Sequence, residues 1–100
     1  MKDAIKFMEK LVGPMTVAMK LRAYRTGHDM TLEEMAAKLG TTKGYVSNIL
    51  TGKKKLSLKK TMEIAEVLEL SKELLAITWF REQAREAGVD LKKLHKHLAS

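Results

Sequence analysis

At 100 residues, with 45% hydrophobic side chains, 31% charged ones and no cysteine, the chain suits one helical core and excludes disulfide, thiolate and zinc-thiolate chemistry. A formal net charge of +7 points to a polyanionic partner. Every apolar run is too short for a membrane span or a signal peptide, so a cytoplasmic chain with no membrane partner is expected.

Residues 3–12 set Ile5, Met8, Leu11 and Val12 on one face and Lys6, Glu9 and Lys10 elsewhere, which predicts a short amphipathic helix. Gly13-Pro14 breaks it, and Pro14 suits the first turn of the next helix. That helix is expected to run to about Thr26, with Val17, Ala18, Leu21 and Tyr24 inward and Gly27 as its stop.

Residues 30–52 hold the strongest pattern, two short helices meeting at a glycine. Thr31 and Glu34 have the spacing of a capping box, and Met30 and Met35 that of a hydrophobic staple. Leu32, Met35, Ala36 and Leu39 form one apolar stripe, and Gly40 is placed to close the helix in the left-handed conformation. Thr42 then caps a second helix with Tyr45, Val46, Ile49 and Leu50 inward, and Gly52 stops it.

The outward face of this second helix is left to Thr42, Lys43, Gly44, Ser47 and Asn48. They are small, polar or cationic, the types that reach base edges or phosphates without filling a groove. On an isolated helix such residues are ordinarily just solvated. The tight pairing of the two helices and the charge around them predict a helix-turn-helix that holds DNA.

That charge is unevenly distributed. Residues 41–60 contain six lysines (Lys43, Lys53, Lys54, Lys55, Lys59 and Lys60) and no acid, whereas residues 63–90 contain seven acids against Lys72, Arg81 and Arg85, leaving −4. Opposite potentials on two faces would orient the protein on a duplex before contact. The run Lys53 to Lys55 follows the second helix where the chain passes the sugar-phosphate backbone, so phosphate contact is expected there. Ser57 caps the next helix, whose first-turn Lys59 and Lys60 run against the dipole preference for acids.

Ser71 caps a longer helix through Ala87, ended by Gly88, and Asp90 caps a last one with Leu91, Leu94 and Leu98 on one side. The longer helix has more apolar surface than one small core needs. Leu75, Trp79 and Phe80 are therefore expected at a dimer interface; the competing expectation is that the terminal helices fold back over this face. No run alternates with period two over enough residues to predict a strand. His28 stands alone in a turn and His95 and His97 point apart on a helix, so no metal is expected. Glycines form no phosphate cradle, and Glu33 and Glu34 sit on a surface helix. Neither a cofactor nor an enzyme activity is expected.

Several segments fall in register with a known family: Leu21-Arg22 and Arg25, Met30-Thr31, Glu34-Met35-Ala36, Leu39-Gly40-Thr41-Thr42, Tyr45-Val46-Ser47 with Ile49, Gly52-Lys53, and Leu58, Ile64-Ala65 and Leu68. Over roughly residues 15–75 the chain resembles the Xre type of lambda-repressor-like and Cro-like DNA-binding domains. The resemblance implies an all-α bundle of four to five core helices with added N- and C-terminal helices. It divides the chain into an N-terminal helix at 1–13, a DNA-binding domain at 14–70 and a helical extension at 71–100 with a possible dimerisation role.

By the same resemblance, residues 42–51 form a recognition helix in the major groove, with Lys43, Gly44, Ser47 and Asn48 toward the bases. Arg22, Arg25, Thr42, Lys53, Lys54 and Lys55 are expected on phosphates. Two positions depart from the family. Leu32 stands where a phosphate-contacting glutamine is usual, and Leu50 where a glutamate often pairs with a first-helix arginine, which frees Arg22 or Arg25 for phosphate. Gly44 reads no base directly but lets the backbone approach DNA, at a helix cost of about 1 kcal/mol. The expected function is a homodimeric transcriptional regulator, a repressor that blocks a promoter through a palindromic operator. The alternatives are an antitoxin that represses its own operon and holds a cognate toxin, and a helical protein-protein adaptor that has lost DNA binding.

Overall fold

The computed structural model describes residues 15–99, without the side chains of Leu94, His95, Leu98 and Ala99. The amphipathic helix expected at residues 3–12 and the Gly13-Pro14 break lie outside the described residues. Six helices follow in order: α1 (Val17–Gly27), α2 (Leu32–Leu39), α3 (Lys43–Leu50), α4 (Leu58–Val67), α5 (Lys72–Glu86) and α6 (Leu91–Ala99). No strand occurs among the described residues, so the chain is all-α.

Five of these helices begin on a hydroxyl cap. The side chains of Thr16, Thr31, Thr42, Ser57 and Ser71 each accept a hydrogen bond from the backbone N–H three residues on. At Thr31 the box is reciprocal, because the Glu34 carboxylate accepts from the Thr31 N–H at 3.2 Å. Asp90 serves α6, its Oδ1 accepting from the Lys92 N–H at 2.9 Å.

Helices α1, α2, α4 and α5 close by one device, a bond from the residue past the left-handed position back to the carbonyl five residues earlier. Gly40 (φ +66) plays this part for α2, with the Thr41 N–H reaching the Ala36 carbonyl at 2.9 Å. For α1 the closing residue differs from the sequence expectation. Gly27 is the last helical residue, and Asp29 (φ 48) takes the left-handed conformation while the Met30 N–H bonds the Arg25 carbonyl at 3.0 Å. Aspartate tolerates this region better than most residues with a Cβ.

Apolar faces at helical spacing converge on one core: Val17, Leu21 and Tyr24 from α1, Met35 and Ala36 from α2, Val46, Ile49 and Leu50 from α3, Ile64 and Ala65 from α4, then Leu68 and Leu75. Two buried hydroxyls sit in it at little cost, since Thr61 and Thr78 donate to the Ser57 and Leu74 carbonyls one turn earlier.

Helix α5 is built into this core. Leu75 is 2% exposed, and the half-buried Trp79 donates its indole N–H to the Leu56 carbonyl at 2.8 Å. Two polar side chains hold the entry to α1: Glu82 accepts from the Val17 N–H at 2.9 Å, and Arg85 donates to the Met15 carbonyl at 2.7 Å. The assignment of Leu75 and Trp79 to a dimer face is therefore corrected, because burial within the subunit already uses both. Phe80, 56% exposed, lies with Leu74 and Ile77 on the opposite side of the helix.

Candidate nucleic-acid interface

The turn between α2 and α3 spans only Gly40 to Thr42. Residues 46, 49 and 50 are buried, at the i, i+3, i+4 spacing of one helix face, which turns the opposite face outward. Gly44 and Asn48 are exposed on it, Ser47 beside them is half-buried, and Thr42 and Lys43 are exposed at the N-terminal end of the helix. None of the five residues that the sequence reading set outward is buried. Thr42 is also the cap of α3, its hydroxyl accepting from the Tyr45 N–H at 3.1 Å.

At Gly44 a Cβ would meet nothing within 4 Å, and its φ is not in the left-handed region. Nothing among the described residues requires a glycine there. Thr51, at the end of α3, turns its hydroxyl back onto the Ser47 and Asn48 carbonyls.

Lys43 has a partner the sequence reading missed. Its ammonium lies 2.9 Å from the Glu33 carboxylate on α2. The hydrogen bond from Lys43 is the largest cause holding the Glu33 carboxyl below its ordinary pKa, with a backbone hydrogen bond and the Lys43 charge adding to it. Both side chains are well exposed, so the pair is solvated and readily opened.

The three lysines after α3 separate into two groups. Lys53 and Lys54 are exposed and have no ion pair among the described residues, although the Lys54 ammonium sits 5.7 Å over the Tyr45 ring. Lys55 is turned to α5, 2.6 Å from Glu86 and 3.5 Å from Glu82. The hydrogen bond to Glu86 is the main cause that raises its pKa above the ordinary lysine value. A phosphate would therefore have to compete with two carboxylates for Lys55, which the sequence reading placed on phosphate. No local sequence signal reports this, since the partners lie 27 and 31 residues away. Lys60 is likewise 3.6 Å from Glu63.

The two arginines of α1 also diverge. Arg22 is exposed. Arg25 is half-buried and donates from Nη1 to the Met30 carbonyl at 3.1 Å, while its Nε is buried with no hydrogen-bond partner among the described residues. Arg25 thus ties the end of α1 to the start of α2, a positioning task, and Arg22 is the freer cation. His28 stacks on Tyr24 with ring centroids 4.1 Å apart, and its Nδ1 lies 2.9 Å from the Tyr24 carbonyl. Among the described residues no group of three His, Cys, Asp or Glu is placed to hold a metal, and no helix is long and apolar enough to cross a membrane.

No curated protein and no solved structure matches the chain. A helix-turn-helix family does, over residues 21–75, which runs from the middle of α1 to Leu75 in α5 and covers more than half of the chain. With its recognition-type helix pair, short glycine turn and exposed polar face, the chain belongs to this Xre and lambda-repressor-like helix-turn-helix family of DNA-binding transcription regulators.

Proposed function

We propose that the protein is a sequence-specific repressor that binds double-stranded DNA as a homodimer on a palindromic operator. The observation that carries this reading is the outward face of α3, where Lys43, Gly44, Ser47 and Asn48 leave donors, acceptors and an unfilled backbone position, with Lys53 and Lys54, which have no ion pair among the described residues, just beyond. In this reading α3 lies in the major groove and α2 crosses the backbone. Asn48 offers both donor and acceptor to a base edge, Lys43 and Ser47 sample neighbouring edges, and Gly44 admits the backbone to the groove. Arg22, Thr42, Lys53 and Lys54 fix the register on phosphates. A bound dimer excludes polymerase from the promoter it covers.

Selection of random duplexes at about 150 mM salt tests the proposal, since weaker salt would retain DNA on charge alone. The expected result is an enriched inverted repeat with half-sites roughly 34 Å apart. Retention without enrichment would reduce the protein to a nonspecific polyanion binder. No retention would make the helix-turn-helix a protein-binding module.

A further inference from the structure

Between α1 and the start of α5 runs an open groove of about 420 Å³. Sites that take small organic molecules have roughly 300 to 1,000 Å³, so this one is large enough for a ring or two. Lys20, Ala23, Tyr24, Gly27 and His28 line it from α1, at the i, i+3, i+4 spacing of one helix face. Leu70, before α5, and Leu74, in its first turn, line it from the other side. The space exists because two positions of α1 carry little: Ala23 is exposed, and a Cβ added to Gly27 would meet nothing within 4 Å. Leu74 is 61% exposed, which leaves apolar surface for a bound molecule to take out of water.

The charge in the groove has one sign. Lys20 is half-buried and makes no ion pair. His28 stacks on the Tyr24 ring, and its Nδ1 lies 2.9 Å from the Tyr24 carbonyl. A carbonyl only accepts, so Nδ1 carries the hydrogen and Nε2 is the nitrogen left without a partner. Lys38 stands behind the same ring, donating to the Tyr24 hydroxyl at 3.1 Å. The lining holds no acid; Glu73, which accepts from the lining Ser71 hydroxyl at 3.4 Å, lies outside it.

We infer that this groove binds a small carboxylate with a flat aromatic body. The body lies on the open stretch of α1 at Ala23 and Gly27 and is covered from the other side by Leu70 and Leu74. Its carboxylate meets Lys20 and His28. A charged partner for a half-buried ammonium is worth more than one at a fully solvated site, so the acid is preferred over a neutral molecule of the same shape. The inference goes beyond the DNA reading and does not rest on it.

Amide proton–nitrogen correlation spectra of the full chain, titrated with naphthylacetate at about 150 mM salt, test the site under ordinary charge screening. One open side leaves part of the ligand in water, so the expected Kd is about 0.1 to 1 mM. Saturable shifts should appear at Ala23, Gly27, His28, Leu70 and Leu74. Naphthylacetamide, which has the same body without the charge, should bind about threefold or more weakly. Lys20→Gln should erase that preference and leave amide binding unchanged. Ala23→Phe, at an exposed position, should fill the groove and weaken both ligands by about tenfold or more.

The absence of saturable shifts at these residues would overturn the inference, as would equal binding of acid and amide, or Ala23→Phe without effect. Shifts confined to Lys43, Lys53 and Lys54 would overturn it too, since the acid would then be a counterion of the basic surface. So would contacts in the free protein between the Leu70 or Leu74 methyl groups and Ile5, Met8 or Leu11, because the chain would then fill its own groove.

Discussion

The ammonium of Lys43, the first residue of the proposed recognition helix, is held 2.9 Å from the carboxylate of Glu33 on the helix before it. A phosphate or base edge must compete with this carboxylate for Lys43. Glu33→Gln should therefore tighten duplex binding, by a factor of about two to five for a solvated pair, and alter base preference next to Lys43. Lys43 depresses the Glu33 pKa, so the pair is fully present above the ordinary carboxylate range and is lost as pH falls through the depressed value. The advantage of Glu33→Gln should narrow in acid. Fluorescence anisotropy of labelled duplexes at several pH values reads both effects, and equal affinities at neutral pH would show that Glu33 does not restrain Lys43.

Asn48→Ala should relax sequence preference and cost roughly 1 to 3 kcal/mol at the enriched site. An equal loss on every sequence would remove Asn48 from base reading.

Lys54 and Lys55 are adjacent in sequence but differ in fate. Lys54→Ala should weaken binding almost uniformly and reduce the slope of log K against log salt by about one. Lys55→Ala should leave the slope unchanged and instead loosen the contact with Glu82 and Glu86, by no more than about 1 kcal/mol because the ammonium is largely exposed. Salt titrations of the two variants side by side would separate them, and a reduced slope for Lys55→Ala would mean that it leaves α5 for phosphate.

These contrasts follow what a sequence can carry. The caps at Thr31, Thr42, Ser57 and Ser71, the closure at Gly40 and the outward face of α3 were all legible, because each depends on residues within one or two helical turns. Gly27 misled because the chain turns two residues later, at Asp29, where the choice depends on how Arg25 and Met30 meet. Leu75 and Trp79 were read as surplus apolar surface because their partners lie far off in sequence. The same holds for Glu82 on Val17 and Arg85 on Met15, separated by 65 and 70 residues. Such pairings place α5 in the core, and no periodicity encodes them.

The indole N–H of Trp79 links α5 to the loop after α3, and a conservative substitution removes that link cleanly. Trp79→Phe keeps most of the apolar contact but leaves the Leu56 carbonyl without this donor. The expected loss is about 0.5 to 1.5 kcal/mol in urea unfolding, the usual worth of one such bond. Equal stabilities would mean that water replaces the indole at no cost. A second consequence concerns position: loosening this loop should lower affinity for duplex at Lys53 and Lys54 without changing which bases are preferred.

Gly44 provides the sharpest separation of fold from function. It is helical and exposed, with nothing within 4 Å of a Cβ added there, so Gly44→Ala should stabilise the free protein by up to about 1 kcal/mol through helix propensity. If the α3 backbone lies against DNA at this point, the same methyl group meets the duplex, and binding should fall by about tenfold or more while stability rises. Urea unfolding and anisotropy on one variant therefore move in opposite directions. Stability and affinity rising together would place Gly44 away from the groove, and the docking of α3 would then have to be rotated toward Ser47 and Asn48.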